Sequence, residues 1–254
     1  MSRLKDKVVL VTGATSGIGT DIARACAEQG GIVAVAGRDK NRGEAVAREL
    51  GEPAVFIPLD VSNESAWTAA IDQLSKSFGG IDVLVNNAGV MTPSGVEDTS
   101  LDLFQQTMMI NAGGVFLGCK HAIANMRSKD KGGSIVNVLS TTALKTSAWT
   151  MAYGASKAAA LSLTKSVALH CAESNYNIRC NAVLPGVVMT PMVEGVVAAA
   201  PDREAALAQL ASQHPIGRML EGREVAAAVV YFASEESSGV TGAHFAVDGG
   251  MTAA

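Results

Sequence analysis

No cysteine pair in this sequence has a CxxC or metal-ligand spacing; Cys26, Cys119, Cys171 and Cys180 stand apart. Such thiols are expected to pack as small buried hydrophobes in a reducing compartment, and no metal is expected. Lysine- or arginine-rich runs are missing and the formal net charge is −4. That excludes the electrostatic footprint of a nucleic-acid or anionic-membrane binder. No apolar run reaches the ~18 residues that a spanning helix needs. The opening "MSRLKDKVVLVTG" passes from charge straight into a short strand, without a signal-peptide core. A soluble cytoplasmic protein is expected. Linkers, repeats and low-complexity tracts are absent as well, so residues 1–254 are expected to form one domain.

The chain has 254 residues, 48% of them hydrophobic, enough for one large α/β core. Short β-branched runs alternate with longer helical patterns. "KVVLVTG", "IVAVAG", "AVFIPLDV", "IDVLVNNAG", "GSIVNVLS", "IRCNAVLPG" and "HFAVDGG" read as strands. Between them lie helical stretches, including a long one over about 101–127 and another opening near Tyr153. Near-continuous apolar strands imply a parallel sheet covered on both faces, hence a doubly wound Rossmann-type α/β fold of about seven strands. Residues 187–223 break the alternation. A long insertion at a sheet's carboxyl edge reads as a substrate lid or as a packed surface helix pair.

After the first strand comes "TGATSGIG", with Gly13, Gly17 and Gly19 leading into a helix. Glycines there allow a sharp turn and close approach of a pyrophosphate, and the helix N-terminus supplies N–H groups and positive dipole. The second strand ends in Gly37, Arg38 and Asp39. An arginine there suits the 2′-phosphate of NADP, with Gly37 leaving room for it; Asp39 either weakens that field or points to solvent, which keeps NAD as the alternative. Asp60 accepts from an adenine amino group or caps the helix starting near Ser62. Asn86 and Asn87 can tie strand ends together, and Gly89 permits close ligand approach.

The reacting groups sit farther along. Ser140 ends the fifth strand, and Tyr153 and Lys157 share a helix face at i, i+4. A lysine ammonium and a cationic nicotinamide ring both favour phenolate, so the tyrosine pKa is expected to fall and Tyr153 to shuttle a proton. Asn111 is expected to anchor a water relaying protons from Lys157, beside a helix kink at Gly113–Gly114.

Together these motifs resemble the short-chain dehydrogenase/reductase family over almost the whole chain, from "VTGATSGIG" through "NNAG", "YGASK" and "PG" to "VDGG". The resemblance implies four catalytic positions, Asn111, Ser140, Tyr153 and Lys157. It implies cofactor contacts from Gly13, Thr15, Ser16, Gly17, Ile18 and Gly19, from Arg38, Asp60 and Val61, and from Asn87, Ala88 and Gly89. Tyr153, Lys157, Pro185, Gly186, Val188 and Thr190 complete that set. Within the family, "VFLGCKHAIANM", "YNIRCNAVLPGVVMTPMV" and "VDGGMTA" are most similar to bacterial NADP-dependent alcohol dehydrogenases acting on bulky ketones. Such enzymes are usually homotetramers. Some bind magnesium through a terminal residue of a different type, so the metal is not carried over. Met91, Thr142, Trp149, Val187 and Met192 are the expected substrate wall. Leu139 is expected to point away from the site by strand alternation. The expected activity is ketone–alcohol interconversion. Hydroxysteroid dehydrogenases and acyl-carrier ketoreductases of the same family are the rivals, the latter wanting a basic dock near Arg127, Lys129 and Lys131. A non-catalytic NADP sensor would be expected to lack Tyr153 or Lys157.

Overall fold

In the computed structural model, which describes residues 2–129 and 132–253, alternating strand residues divide between two cores. The strands are β1 (Val8–Thr12), β2 (Ile32–Gly37), β3 (Val55–Pro58), β4 (Val83–Asn86), β5 (Gly133–Val138), β6 (Ile178–Pro185) and β7 (His244–Val247). All pair in parallel, in the order β3-β2-β1-β4-β5-β6-β7. The helices are α1 (Gly17–Glu28), α2 (Lys40–Leu50), α3 (Glu64–Phe78), α4 (Leu101–Met108), α5 (Gly114–Arg127), α6 (Met151–Glu173), α7 (Pro191–Ala198), α8 (Arg203–Ser212) and α9 (Gly222–Ala233). In β1, Val8 and Leu10 face Trp67, Met126 and Leu161 of α3, α5 and α6, whereas Val9 and Val11 face Ile22, Val46, Val225 and Phe232 of α1, α2 and α9. A strand must be apolar on both sides to be buried this way, which is why the strands read as unbroken apolar runs. The four cysteines are buried and reduced. The expected doubly wound α/β fold is the one observed.

The chain lays down β1, β2 and β3 outward, then returns to the other side of β1 with β4. At that reversal the connections leave in opposite directions, and a crevice opens beyond the strands' carboxyl ends.

One local reading changes. The stretch 101–127 is not one helix with a glycine kink, because Met109–Gly113 forms a π-helical turn between α4 and α5. The glycines there serve close packing: a Cβ on Gly114 would lie 2.9 Å from Val61 Cγ2, and one on Gly113 would lie 2.8 Å from Met109 Sδ. Residues 187–223 contain the helix pair α7–α8, of which only Val197 is buried.

A buried polar seam joins the sheet to α6. Asn86 Nδ2 donates to Asn137 Oδ1 at 2.9 Å, and Asn137 Nδ2 donates to Thr164 Oγ1 at 2.9 Å. Replacing Asn137 with alanine strands polar groups on two neighbours. We expect a loss of about 2–4 kcal/mol, read as a lower urea midpoint; an unchanged midpoint would show that the seam adds nothing to stability.

Candidate active site

The crevice is a cavity of about 910 Å³. Every site residue expected from the sequence lines it except Asn111, which is fully buried just behind.

On the β1–β3 side, Gly13 and Gly17 adopt positive φ, +63° and +58°, which only glycine accepts readily. A Cβ on Gly13 would lie 2.8 Å from Ala88 Cα, so the loop packs tightly on the end of β4. Asn87 fastens it there: its Nδ2 donates to Thr12 O and Gly13 O at 3.0 and 3.2 Å. Ser16 precedes α1 in extended conformation without a side-chain capping bond. The first-turn N–H groups of α1 therefore have no side-chain cap, the condition under which a helix N-terminus takes a phosphate. A nucleotide diphosphate fits this donor set.

The residues after β2 resolve differently from the sequence reading. Gly37 does not simply leave room for a phosphate, because a Cβ there would come within 2.7 Å of Thr15 Cγ2. Asp39 faces solvent, one of the two expected readings, and also caps α2. It accepts from Arg42 N at 3.0 Å as the cap of α2, and Arg42 Nε lies 3.3 Å from its other oxygen. Asp60 accepts from Ser62 N and Ser62 Oγ at 3.0 and 2.6 Å. Those bonds, with a smaller contribution from Arg38, hold its carboxyl below the usual range. The cap of α3 is Asn63 rather than a residue at Asp60.

On the β4–β6 side three groups converge. A Cβ on Gly89 would lie 3.2 Å from Asn111 Oδ1 and 3.4 Å from Lys157 Nζ. Lys157 is 3% exposed and donates to Val138 O at 3.2 Å. Burial pulls its ammonium down to about 8. Its Nζ lies 5.5 Å from the Tyr153 ring centre. The phenol of Tyr153 is raised, not lowered as expected: burial outweighs the opposing hydrogen bond from Ser140. Ser140 Oγ also accepts from Thr142 N at 3.1 Å, so the serine caps a short turn while facing the tyrosine.

Sequence reasoning missed Ser156, between Tyr153 and Lys157. Asn111 Nδ2 donates to Ser156 Oγ at 3.0 Å, and Ser156 Oγ donates to Tyr153 O at 2.7 Å. Asn111 also exchanges two bonds with the Val90 backbone, at 2.8 and 2.9 Å. The signal was a small polar residue on the inward face of an apolar helix. Leu139 belongs to the core, as alternation requires, yet it also forms part of the cavity wall.

The buried ammonium has a linkage consequence. Its proton is bound less tightly in the folded than in the unfolded state, so stability should rise with pH between about 8 and 10.5. Below that window the full penalty applies, on the order of 3 kcal/mol. Lys157→Met should therefore raise the denaturation midpoint of the nucleotide-free protein at pH 7 and abolish the alkaline rise. A midpoint lower than the parent's would contradict the penalty.

Among known proteins, the family model described as enoyl-(acyl carrier protein) reductase matches residues 13–252. The NADP-dependent (R)-specific alcohol dehydrogenase of Lentilactobacillus kefiri is 39% identical, over 99% of this chain and 98% of that enzyme. The cyclopentanol dehydrogenase of Comamonas sp. (strain NCIMB 9872) is 40% identical over all of both chains. The 3-alpha-(or 20-beta)-hydroxysteroid dehydrogenase of Mycobacterium tuberculosis (strain H37Rv) is 39% identical, over 99% of this chain and 91% of that enzyme. With the glycine loop, the Ser140–Tyr153–Lys157 cluster and the seven-stranded parallel sheet, these matches establish that the chain belongs to the short-chain dehydrogenase/reductase family.

Proposed function

We propose that this protein interconverts a ketone and a secondary alcohol by hydride transfer with a nicotinamide nucleotide, NADP in preference to NAD, on bulky hydrophobic substrates. The observation that carries this is the meeting of Ser140, Tyr153 and Lys157 in the cavity that also holds the glycine loop. The nucleotide, when bound, supplies or accepts the hydride. Tyr153 gives its proton to the carbonyl oxygen during reduction, and Ser140 donates a hydrogen bond to the same oxygen. A phenol raised by burial is in the proton-bearing form that reduction uses. Lys157 keeps a positive charge one helical turn away and so favours the phenolate left behind. Asn111 acts through Ser156 and Val90, steadying the backbone around both.

Arg38 is the cationic group after β2 that lines the cavity, and its neighbour Asp39 is committed to α2. This supports NADP, as does the NADP-dependent relative. Thr15, Ser16, Ile18, Val61, Pro185, Gly186, Val188 and Thr190 complete the nucleotide wall. Met91, Thr142, Trp149, Val187 and Met192 form the substrate wall, with α7 and α8 as a lid. Trp149 is 76% exposed, an apolar surface at the mouth suited to a bulky ketone. The apolar exposures of Leu101, Met109, Phe116 and Leu169 on α4–α6 support a homotetramer. Among the described residues no helix is long and apolar enough to cross a membrane; a cytoplasmic place of work is part of the same proposal. An acyl-carrier dock has little support. Arg127 stacks on Tyr176 at 4.4 Å and Lys129 pairs with Asp82 at 2.9 Å; Lys131 lies outside the described residues.

Absorbance at 340 nm with acetophenone, a cyclic ketone, a steroid ketone and an acetoacetyl thioester tests the reading. Ketone turnover with NADPH preferred is expected; thioester turnover alone would overturn it. Tyr153→Phe should lower kcat by about 10²–10⁴ while nucleotide still binds, and full turnover by that variant would remove Tyr153 from the mechanism. Arg38→Leu should cut the preference for NADPH by about 10- to 100-fold. An unchanged preference would show that Arg38 does not read the phosphate.

A further inference from the structure

His214 lies just past α8 and is 1% exposed. The backbone N–H of Val187 donates to its Nε2 at 3.0 Å. Nε2 is therefore the unprotonated nitrogen of a neutral ring, and Nδ1 carries the hydrogen that meets Leu210 O at 3.0 Å. Both ring nitrogens are used, one on the strand end and one on α8. The ring is also pressed against the turn after β6: a Cβ on Gly186 would lie 2.7 Å from Nε2. The Val187 carbonyl is held from the same segment, accepting from Leu220 N at 2.9 Å. Val187 and Leu210 both line the cavity. Helix α8 itself buries no residue, so it has little packing of its own to fix its place.

We propose that His214 is a positioning residue. Its neutral imidazole ties Val187 to the last turn of α8 and thereby sets where the substrate-side wall stands relative to Ser140 and Tyr153. The effect on catalysis rests on the function proposed above; the tie itself does not. Losing the acceptor leaves a buried N–H without a partner and frees the strand end. Small displacements of a wall that orients substrate are costly in rate.

Two conservative variants separate the contacts. In His214→Gln, Oε1 stands as many bonds from Cα as Nε2 and can accept from Val187. In His214→Asn, the amide nitrogen takes the place of Nδ1 and can donate to Leu210. His214→Phe removes both; if it does not fold, Gln and Asn carry the comparison. Amide exchange by mass spectrometry, on a peptide spanning 184–190 of the nucleotide-free protein, should be near parental in Gln and faster in Asn. With the best ketone of the panel, kcat/KM should fall about tenfold in Asn, mainly through KM, and stay within about threefold of parental in Gln. Parental exchange and kcat/KM in Asn, with Gln defective, would overturn the proposal and reduce His214 to a helix cap. So would equal losses in both that only follow their urea midpoints. If the parent turns over no ketone, the functional reading fails, and the exchange measurement still decides whether His214 holds Val187.

Discussion

The charge on Lys157 is kept inside the protein, and much of the site follows from keeping it there. An ammonium at 3% exposure needs an oxygen partner, and Val138 O accepts from it at 3.2 Å. Gly89 has both Lys157 Nζ and Asn111 Oδ1 within 3.4 Å of where a Cβ would sit. Asn111 is itself fixed by Val90 and by Ser156, and Ser156 grips the backbone of Tyr153. The result is a closed set of contacts from the end of β4, through the π-helical turn, to the first turns of α6. A buried cation without such support would lose its proton or unfold its surroundings.

Carboxylates near the cavity show the complementary restraint. Asp39 is turned to the N-terminus of α2, and Asp60 to Ser62. Each acid is held by local donors. The helix that follows the glycine loop lacks a side-chain cap, whereas α2, α3, α4, α7 and α8 have one.

Much of this was legible without coordinates. Strand positions were plain because β-branched runs buried on both faces leave an unmistakable pattern. The serine, tyrosine and lysine were legible from their joint occurrence downstream of the glycine loop and from the family resemblance. Other features depend on what lies opposite in space. The role of Gly37 is set by Thr15, a residue of another loop. The upward shift of Tyr153 comes from burial, which the i, i+4 spacing to Lys157 does not report. His214 looked like one more residue of an irregular segment, because its partners Val187 and Leu210 are joined only by folding. The π-helical turn was hidden for another reason: an extra residue in a helix leaves the apolar pattern on either side almost intact.

That extra residue is a phase shifter. An α-helix advances about 100° per residue, so winding 109–113 into α geometry with no residue removed would rotate α5 by about that amount against α4. Phe116, half exposed on one side of α5, and Cys119, buried on another, would trade environments with their neighbours. The turn that carries Asn111 thus also sets which side of α5 meets the sheet and which is exposed. Chemistry in the cleft and the outer surface of the protein are geared through one residue of helical pitch.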